Sequence, residues 1–170
     1  MTYLIAEIGQ NHNGSIDLAK LLIDIVARPI TDKFNNKQFK GMDAVKFTKR
    51  DLKQELSKSQ MDRIYNSPNS FGKTYGEHRE YLELSDIEHF ELFNYAKSKN
   101  LDFIETICGI GGLSLLKLFK PDKLKVASRD LTNLPLIKAL AENKIPMILS
   151  TGMSGIKEID DAINIISNYH

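Results

Sequence analysis

One cysteine, Cys108, stands alone among 170 residues, which excludes an internal disulfide. That usage fits a reducing compartment, and a cytoplasmic location is the expectation. Tryptophan is absent. No apolar run approaches the ~18 residues that a membrane span requires. The amino-terminal MTYLIAEIG has no basic region, and its apolar run is too short for a secretory signal. Neither sign of charge prevails: 23 Lys and Arg stand against 22 Asp and Glu, a net charge of +1. No electrostatic case for nucleic acid or for an anionic membrane surface follows from that balance. The four histidines, His12, His78, His89 and His170, lack the spacing of metal ligands. What is present is an ordinary globular composition, 42% apolar and 26% charged. It suffices for one domain with a real core.

Short apolar runs alternate with helical periodicity along the whole chain. Strands are expected over residues 4–8, 44–48, 102–106, 124–127 and 147–149, and helices over 16–28, 86–99, 111–119, 134–142 and 156–168. Ser15 suits the N-cap of the first helix, and Leu18, Leu21, Leu22, Ile25 and Val26 form its apolar face. Ser85 and Glu88 form a capping box for the second, with Phe90, Phe93 and Ala96 or Lys97 on its inner side, and Asn100 suits a left-handed end. In the last helix Ile156, Ile159, Ile163 and Ile166 fall on one stripe. Residues 30–40 read as an exposed loop. Residues 49–85 form a long polar segment with patchy helical character around 52–64, a length that compact domains reserve for lids and binding loops. Five successive β-α units predict a parallel sheet covered by helices. Two architectures accommodate that: a complete doubly wound sheet, or about five-eighths of a (β/α)8 barrel.

In both architectures ligands bind at the carboxyl ends of the strands. Those ends carry Glu7, Lys46 with Thr48, Glu105 with Thr106, Lys125 with Ser128, and Ser150 with Thr151. Lysines and hydroxyls suit a small anion, phosphate or carboxylate. A carboxylate beside them suits acid–base work. Lys46 and Lys125 have apolar neighbours on both sides, where an unpaired ammonium is costly.

Other motifs weigh less. Gly72-Lys73-Thr74 looks like the tail of a P-loop but lacks the upstream glycine and the strand. The run from Gly109 to Ser114 is a near miss to a dinucleotide fingerprint, and a glycine-eased turn explains it as well. His89 reads as a surface or packing residue. His12 and His78 lie on loops that can border the site. Cys108, with no base beside it, reads as a small apolar residue.

Five segments, IAEIGQNHNG (5–14), DAVKF (43–47), TYGEHREYLELS (74–85), KVASRDLTNLPLI (125–137) and PMILSTGM (146–153), resemble the sialic acid synthase family. The resemblance covers nearly the whole chain in order. It implies a (β/α)8 TIM barrel, here a partial one of about five β-α units with parallel strands. On that view residues 1–170 form a single, truncated N-terminal portion of the synthase domain. It implies condensation of phosphoenolpyruvate with an N-acetylated sugar aldehyde such as N-acetylmannosamine, with release of phosphate. Glu7 is then the acid facing the aldehyde, Lys46 and Lys125 hold phosphoenolpyruvate, and Thr106, Ser128 and Ser150 are hydroxyl contacts to it. A divalent metal, Mn or Mg, is also implied, with ligands outside this chain. The expected partners are a second copy or a complementing C-terminal chain, with no nucleic acid and no membrane. Thr48, Ile107 and the Arg129-Asp130 pair depart from residues common in the family, and the stretch at 29–40 is longer than usual. Two other readings stay open: a non-catalytic anion-binding fragment, and a five-stranded nucleotide-binding domain.

Overall fold

The computed structural model describes residues 2–169. The chain runs through β1 (Ile5–Gly9), α1 (Ile16–Ala27), β2 (Ile30–Thr31), β3 (Gln38–Phe39) and β4 (Ala44–Arg50). Three short helices follow, α2 (Leu52–Glu55), α3 (Lys58–Met61) and α4 (Tyr75–Leu82), and then α5 (Asp86–Ser98) and β5 (Asp102–Cys108). A 3-10 helix (Ile110–Lys117), β6 (Lys123–Val126), a 3-10 turn (Ser128–Asp130), α6 (Leu134–Ala141), β7 (Met147–Leu149) and α7 (Ile156–Ile166) complete it.

Five strands pair in parallel in the order β1-β4-β5-β6-β7. Each major strand is laid beside its predecessor, always in one direction. A doubly wound sheet reverses its order at a switch point. With no reversal, right-handed crossovers place every helix on the same face. The sheet is therefore barrel wall: five β-α units of a partial (β/α)8 barrel.

Period-two alternation sorts the strand residues. Ile8, Val45, Phe47 and Phe103 pack on Ala19 and Ile23 of α1 and on Leu92 and Ala96 of α5. Ile107, Leu124 and Val126 pack on α6 and the second 3-10 turn through Leu131, Leu136, Ile137 and Leu140. Phe47 and Phe103 stack with centroids 5.3 Å apart, and Phe119 meets Phe103 edge-on at 5.7 Å. The opposite face of the same strands carries the polar residues described below.

The caps follow the sequence. Ser15 Oγ accepts from Leu18 N–H, Ser85 and Glu88 form a capping box, and Asn100 takes φ 58° at the end of α5. Five expectations are corrected. Residues 30–40 are not wholly loop, because Ile30–Thr31 and Gln38–Phe39 form an antiparallel hairpin. The segment 49–85 holds α4, whose capping box of Thr74 and Glu77 outweighs its weak apolar pattern. On α5, Phe93 and Ala96 pack inward as expected and are joined there by His89 and Leu92, while Phe90 lies toward the rim. Of the α7 stripe, Ile159 and Ile166 pack inward but Ile156 and Ile163 are exposed. The expected helix near 111–119 is 3-10 over Ile110–Lys117, as its two glycines weaken the α form.

Candidate functional site

On the sheet face turned away from the helices, alternation places Glu7 on β1, Lys46 and Thr48 on β4, Thr106 on β5 and Lys125 on β6. Register aligns them: Glu7 pairs with Lys46, Thr48 with Thr106, and Thr106 with Lys125. Lys46 is almost wholly buried, and its Nζ donates to Glu7 Oε1 at 3.0 Å and to Thr48 Oγ1 at 2.8 Å. The Glu7 side chain is 64% exposed, so the carboxylate that neutralises Lys46 also reaches solvent. Lys125 Nζ donates to Ser150 Oγ at 2.5 Å and to the Val126 carbonyl at 2.7 Å. Burial pulls its ammonium below the usual lysine value, and the neighbouring charge of Lys46 adds to that. Thr106 is buried, and its hydroxyl has no hydrogen-bond partner among the described residues. Ser128 opens the 3-10 turn after β6, and its Oγ lies 3.6 Å from where a Cβ on Gly152 would stand. It thus faces the loop after β7.

Glu7, Lys46, Thr106 and Lys125 therefore gather at one end of one sheet face, Ser150 joins them through Lys125, and Ser128 lies on the adjoining loop beside Gly152. Thr48 joins them through its contact with Lys46; its signal is the two-residue spacing on β4. Glu105 does not join. Its side chain points to the helix layer, fully buried, with Oε2 2.9 Å from His89 Nδ1. The reading of Glu105 as a strand-end site group is corrected by that alternation, and His89 is a core residue.

His12, on the loop after β1, and His78, which lies on α4 and not on a loop, are held by packing and hydrogen bonds. His12 lies buried near Phe47, and its Nδ1 accepts from Gly14 N–H at 3.2 Å. Burial first, and the nearby His89 second, lower its pKa to about 4, so the ring is neutral at pH 7. His78 packs among Tyr65, Phe71 and Tyr75 and accepts from Phe71 N–H. Burial pushes the Cys108 thiol up to about 11, which leaves it unreactive at neutral pH. The glycine motifs are filled by this chain's own carboxylates. A Cβ on Gly111 would lie 2.0 Å from Asp51 Oδ2. Glu77 accepts from the N–H groups of Lys73 and Thr74, where a P-loop would seat phosphate.

A cleft of about 620 Å³, lined by Lys49, Arg50, Asp51, Asp86 and Ser114 among others, includes none of the six candidates. Lys49 there is already paired with Asp86 at 3.0 Å. The lysines of the sheet face carry a stronger case, because Thr106 leaves an unsatisfied buried hydroxyl between them. Among the described residues no group of three His, Cys, Asp or Glu side chains is arranged to hold a metal. The three described histidines are engaged in packing and hydrogen bonds.

A partial barrel with an anion-suited cluster at its strand ends defines the class: a (β/α)8-type protein with its binding groups where such barrels place them. Residues 35–170 match the NeuB family model, and the chain belongs to the NeuB family. It is 36% identical over 158 residues to an N-acetylneuraminate-9-phosphate synthase of Drosophila melanogaster, covering 93% of this chain and 40% of the relative. An N,N'-diacetyllegionaminic acid synthase of Campylobacter jejuni is 32% identical over 165 residues, covering 97% of this chain and 46% of the relative. Among solved structures, an N-acetylneuraminic acid synthetase of Leptospira borgpetersenii in complex with citrate superposes with a TM-score of 0.74 and 26% identity. That match covers 99% of this chain and 51% of the other. The chain thus spans less than half the length of these two curated relatives.

Proposed function

We propose that this chain carries the phosphoenolpyruvate-binding half of a nonulosonic acid synthase. Residues 1–170 act as one unit, corresponding to an N-terminal part of the barrel. The observation that carries the reading is the meeting of two ammonium groups, Lys46 and Lys125, with hydroxyls and one acid on a single sheet face. The names of the curated relatives, all acting on sialic or legionaminic acid chemistry in the cases quoted, support it.

In this reading Lys46 and Lys125 hold the phosphate and carboxylate of phosphoenolpyruvate, and Thr106, Ser128 and Ser150 hydrogen-bond the same ligand. The enol carbon attacks the aldehyde of an N-acetylated hexose. Glu7, at the mouth, handles the proton at the aldehyde oxygen. Water adds at the oxocarbenium-like centre, and phosphate leaves by C–O cleavage. The lysines oppose the charge that develops on the oxygens, an electrostatic contribution made in place. The resemblance also implies a divalent metal, Mn or Mg. The described residues do not supply its ligand set, so no step here runs through it.

Isothermal titration with phosphoenolpyruvate tests the reading. Binding is expected, with a loss of about tenfold or more in Lys125→Ala, since charged hydrogen bonds contribute about 1.5–3 kcal/mol each. A phosphate-release assay with N-acetylmannosamine, on the chain alone and with any separately encoded complement, tests turnover. A wild-type chain that ignores phosphoenolpyruvate would sink the reading. Binding without turnover in either assay would instead favour a non-catalytic anion-binding protein.

A further inference from the structure

One carboxylate ties together loops that follow three neighbouring strands. Glu55 ends α2, the four-residue helix that follows β4. Its side chain is 9% exposed, and Oε2 accepts from Arg50 Nη1 at 2.7 Å and from Arg129 Nη2 at 2.6 Å. Arg50 is the last residue of β4, the strand that carries Lys46 and Thr48. Arg129 follows Ser128 in the 3-10 turn after β6. The same helix is fixed to the turn after β5, where Gln54 Oε1 accepts from Ile110 N–H at 2.8 Å. The charges around Glu55 balance. The two guanidiniums face Glu55 and Asp130, and Glu83 accepts from the Arg50 backbone N–H at 3.2 Å. Asp130 Oδ2 lies 3.6 Å from Arg129 Nε and has no hydrogen-bond partner among the described residues, so the Arg129 bond goes to Glu55. Cys108, opposite Arg50 in register, stays a neutral thiol. The cluster thus adds no net positive charge to draw an anion; what it supplies is geometry.

We propose that Glu55 is a positioning residue, which through Arg129 sets the place of Ser128 in the anion site. The inference rests on the phosphoenolpyruvate reading above and adds to it a residue that touches no ligand. A hydroxyl supports binding only when held within about 0.5 Å of its place by its surroundings. The turn Ser128–Asp130 closes on itself through Asp130 N–H and the Ala127 carbonyl at 2.9 Å. That bond shapes the turn but does not fix how it leans toward β4. The bridge from Arg50 through Glu55 to Arg129 does, because it runs from the strand of Lys46 to the turn of Ser128. Loss of Glu55 also has an opposite consequence. It removes a negative charge and frees two guanidiniums, which by charge alone favours an anion. Positioning and charge therefore predict opposite signs.

The test is isothermal titration of the full chain with phosphoenolpyruvate, with circular dichroism to check that each variant is folded. Ser128→Ala is expected to raise Kd about threefold to tenfold, the worth of one hydrogen bond. Glu55→Ala is expected to raise it by a similar factor. The double variant Glu55→Ala/Ser128→Ala should bind no worse than either single one, because both remove the same contact. Should Glu55→Ala fail to fold, Arg129→Ala, at a half-exposed position, gives the same cycle with Ser128→Ala, and its loss of charge cancels from the coupling. Unchanged or tighter binding in Glu55→Ala overturns the positioning role and leaves the anion site standing. So does a Ser128→Ala chain that binds like wild type. Losses that multiply in the double variant overturn it too, since Glu55 then acts elsewhere than through Ser128. A wild-type chain that binds no phosphoenolpyruvate overturns the anion-site reading itself, and the positioning role with it.

Discussion

At the scale of single residues, two buried polar groups set how this protein answers to pH and to substitution. His12 has a folded pKa of about 4 against 6.5 for the free side chain. The unfolded chain therefore binds the proton first. Stability is intact above about pH 6.5 and falls as the pH drops from there towards 4, by on the order of 3 kcal/mol in all. Melting temperature measured across that range should show the slope, and His12→Asn, whose amide oxygen can still accept from Gly14 N–H, should flatten it. His89 and Glu105 form the second case. Each is essentially without solvent exposure, and each leaves one polar atom unpartnered, Nε2 and Oε1. Glu105→Ala strands the imidazole in the core and is expected to cost about 3 kcal/mol or more in urea unfolding. Replacing both by leucine should cost less than the single change, because the penalty lies in the orphaned partner. A sequence reader can see the charge of Glu105 but not its direction. One residue of strand register separates it from Thr106 and turns it to the opposite face.

At the scale of elements, local chemistry was legible where caps are strong. Ser15, Ser85 with Glu88, and Asn100 mark their helix ends in the sequence and do so in the fold. The same signal exists at Thr74 and Glu77, but the helix they cap has little apolar periodicity to mark its extent. The hairpin at 30–39 was hidden for a related reason. Its two strands have two residues each and both are exposed, so no burial pattern is imprinted on them. The turn after β5 shows how a motif can mislead. Its glycines look fit to cradle a phosphate, yet the Asp51 side chain occupies the space beside Gly111. Gly111→Ala should therefore cost about 1–3 kcal/mol in thermal melts, the usual range for overpacking. Combination with Asp51→Ala should recover much of the loss. Full stability in Gly111→Ala alone would show the contact to be unimportant.

At the scale of the whole molecule, the sheet has two edges. Among the described residues β1 pairs only with β4, and β7 only with β6. Near the first edge Tyr3, Leu4 and Ile5 are exposed. Unpaired edges flanked by apolar side chains associate unless something covers them. Light scattering on the purified chain is expected to report a dimer or larger species, or a stable complex with a complementing chain. A monodisperse monomer at high concentration would contradict this. The five-unit alternation was enough to establish parallel β-α architecture. It was not enough to choose between a doubly wound sheet and barrel wall, because both consist of the same units.

Alone, the sequence determined the five major strands, most of the longer helices with their caps, and the polar residues at the ends of the strands, since periodicity and capping are local properties of the chain. Tertiary structure alone decided the order of the strands. It also decided the separation of Glu105 from Glu7, and the unequal surroundings of Lys46 and Lys125. Those depend on which strand lies beside which and in what register, and no stretch of chain encodes that by itself.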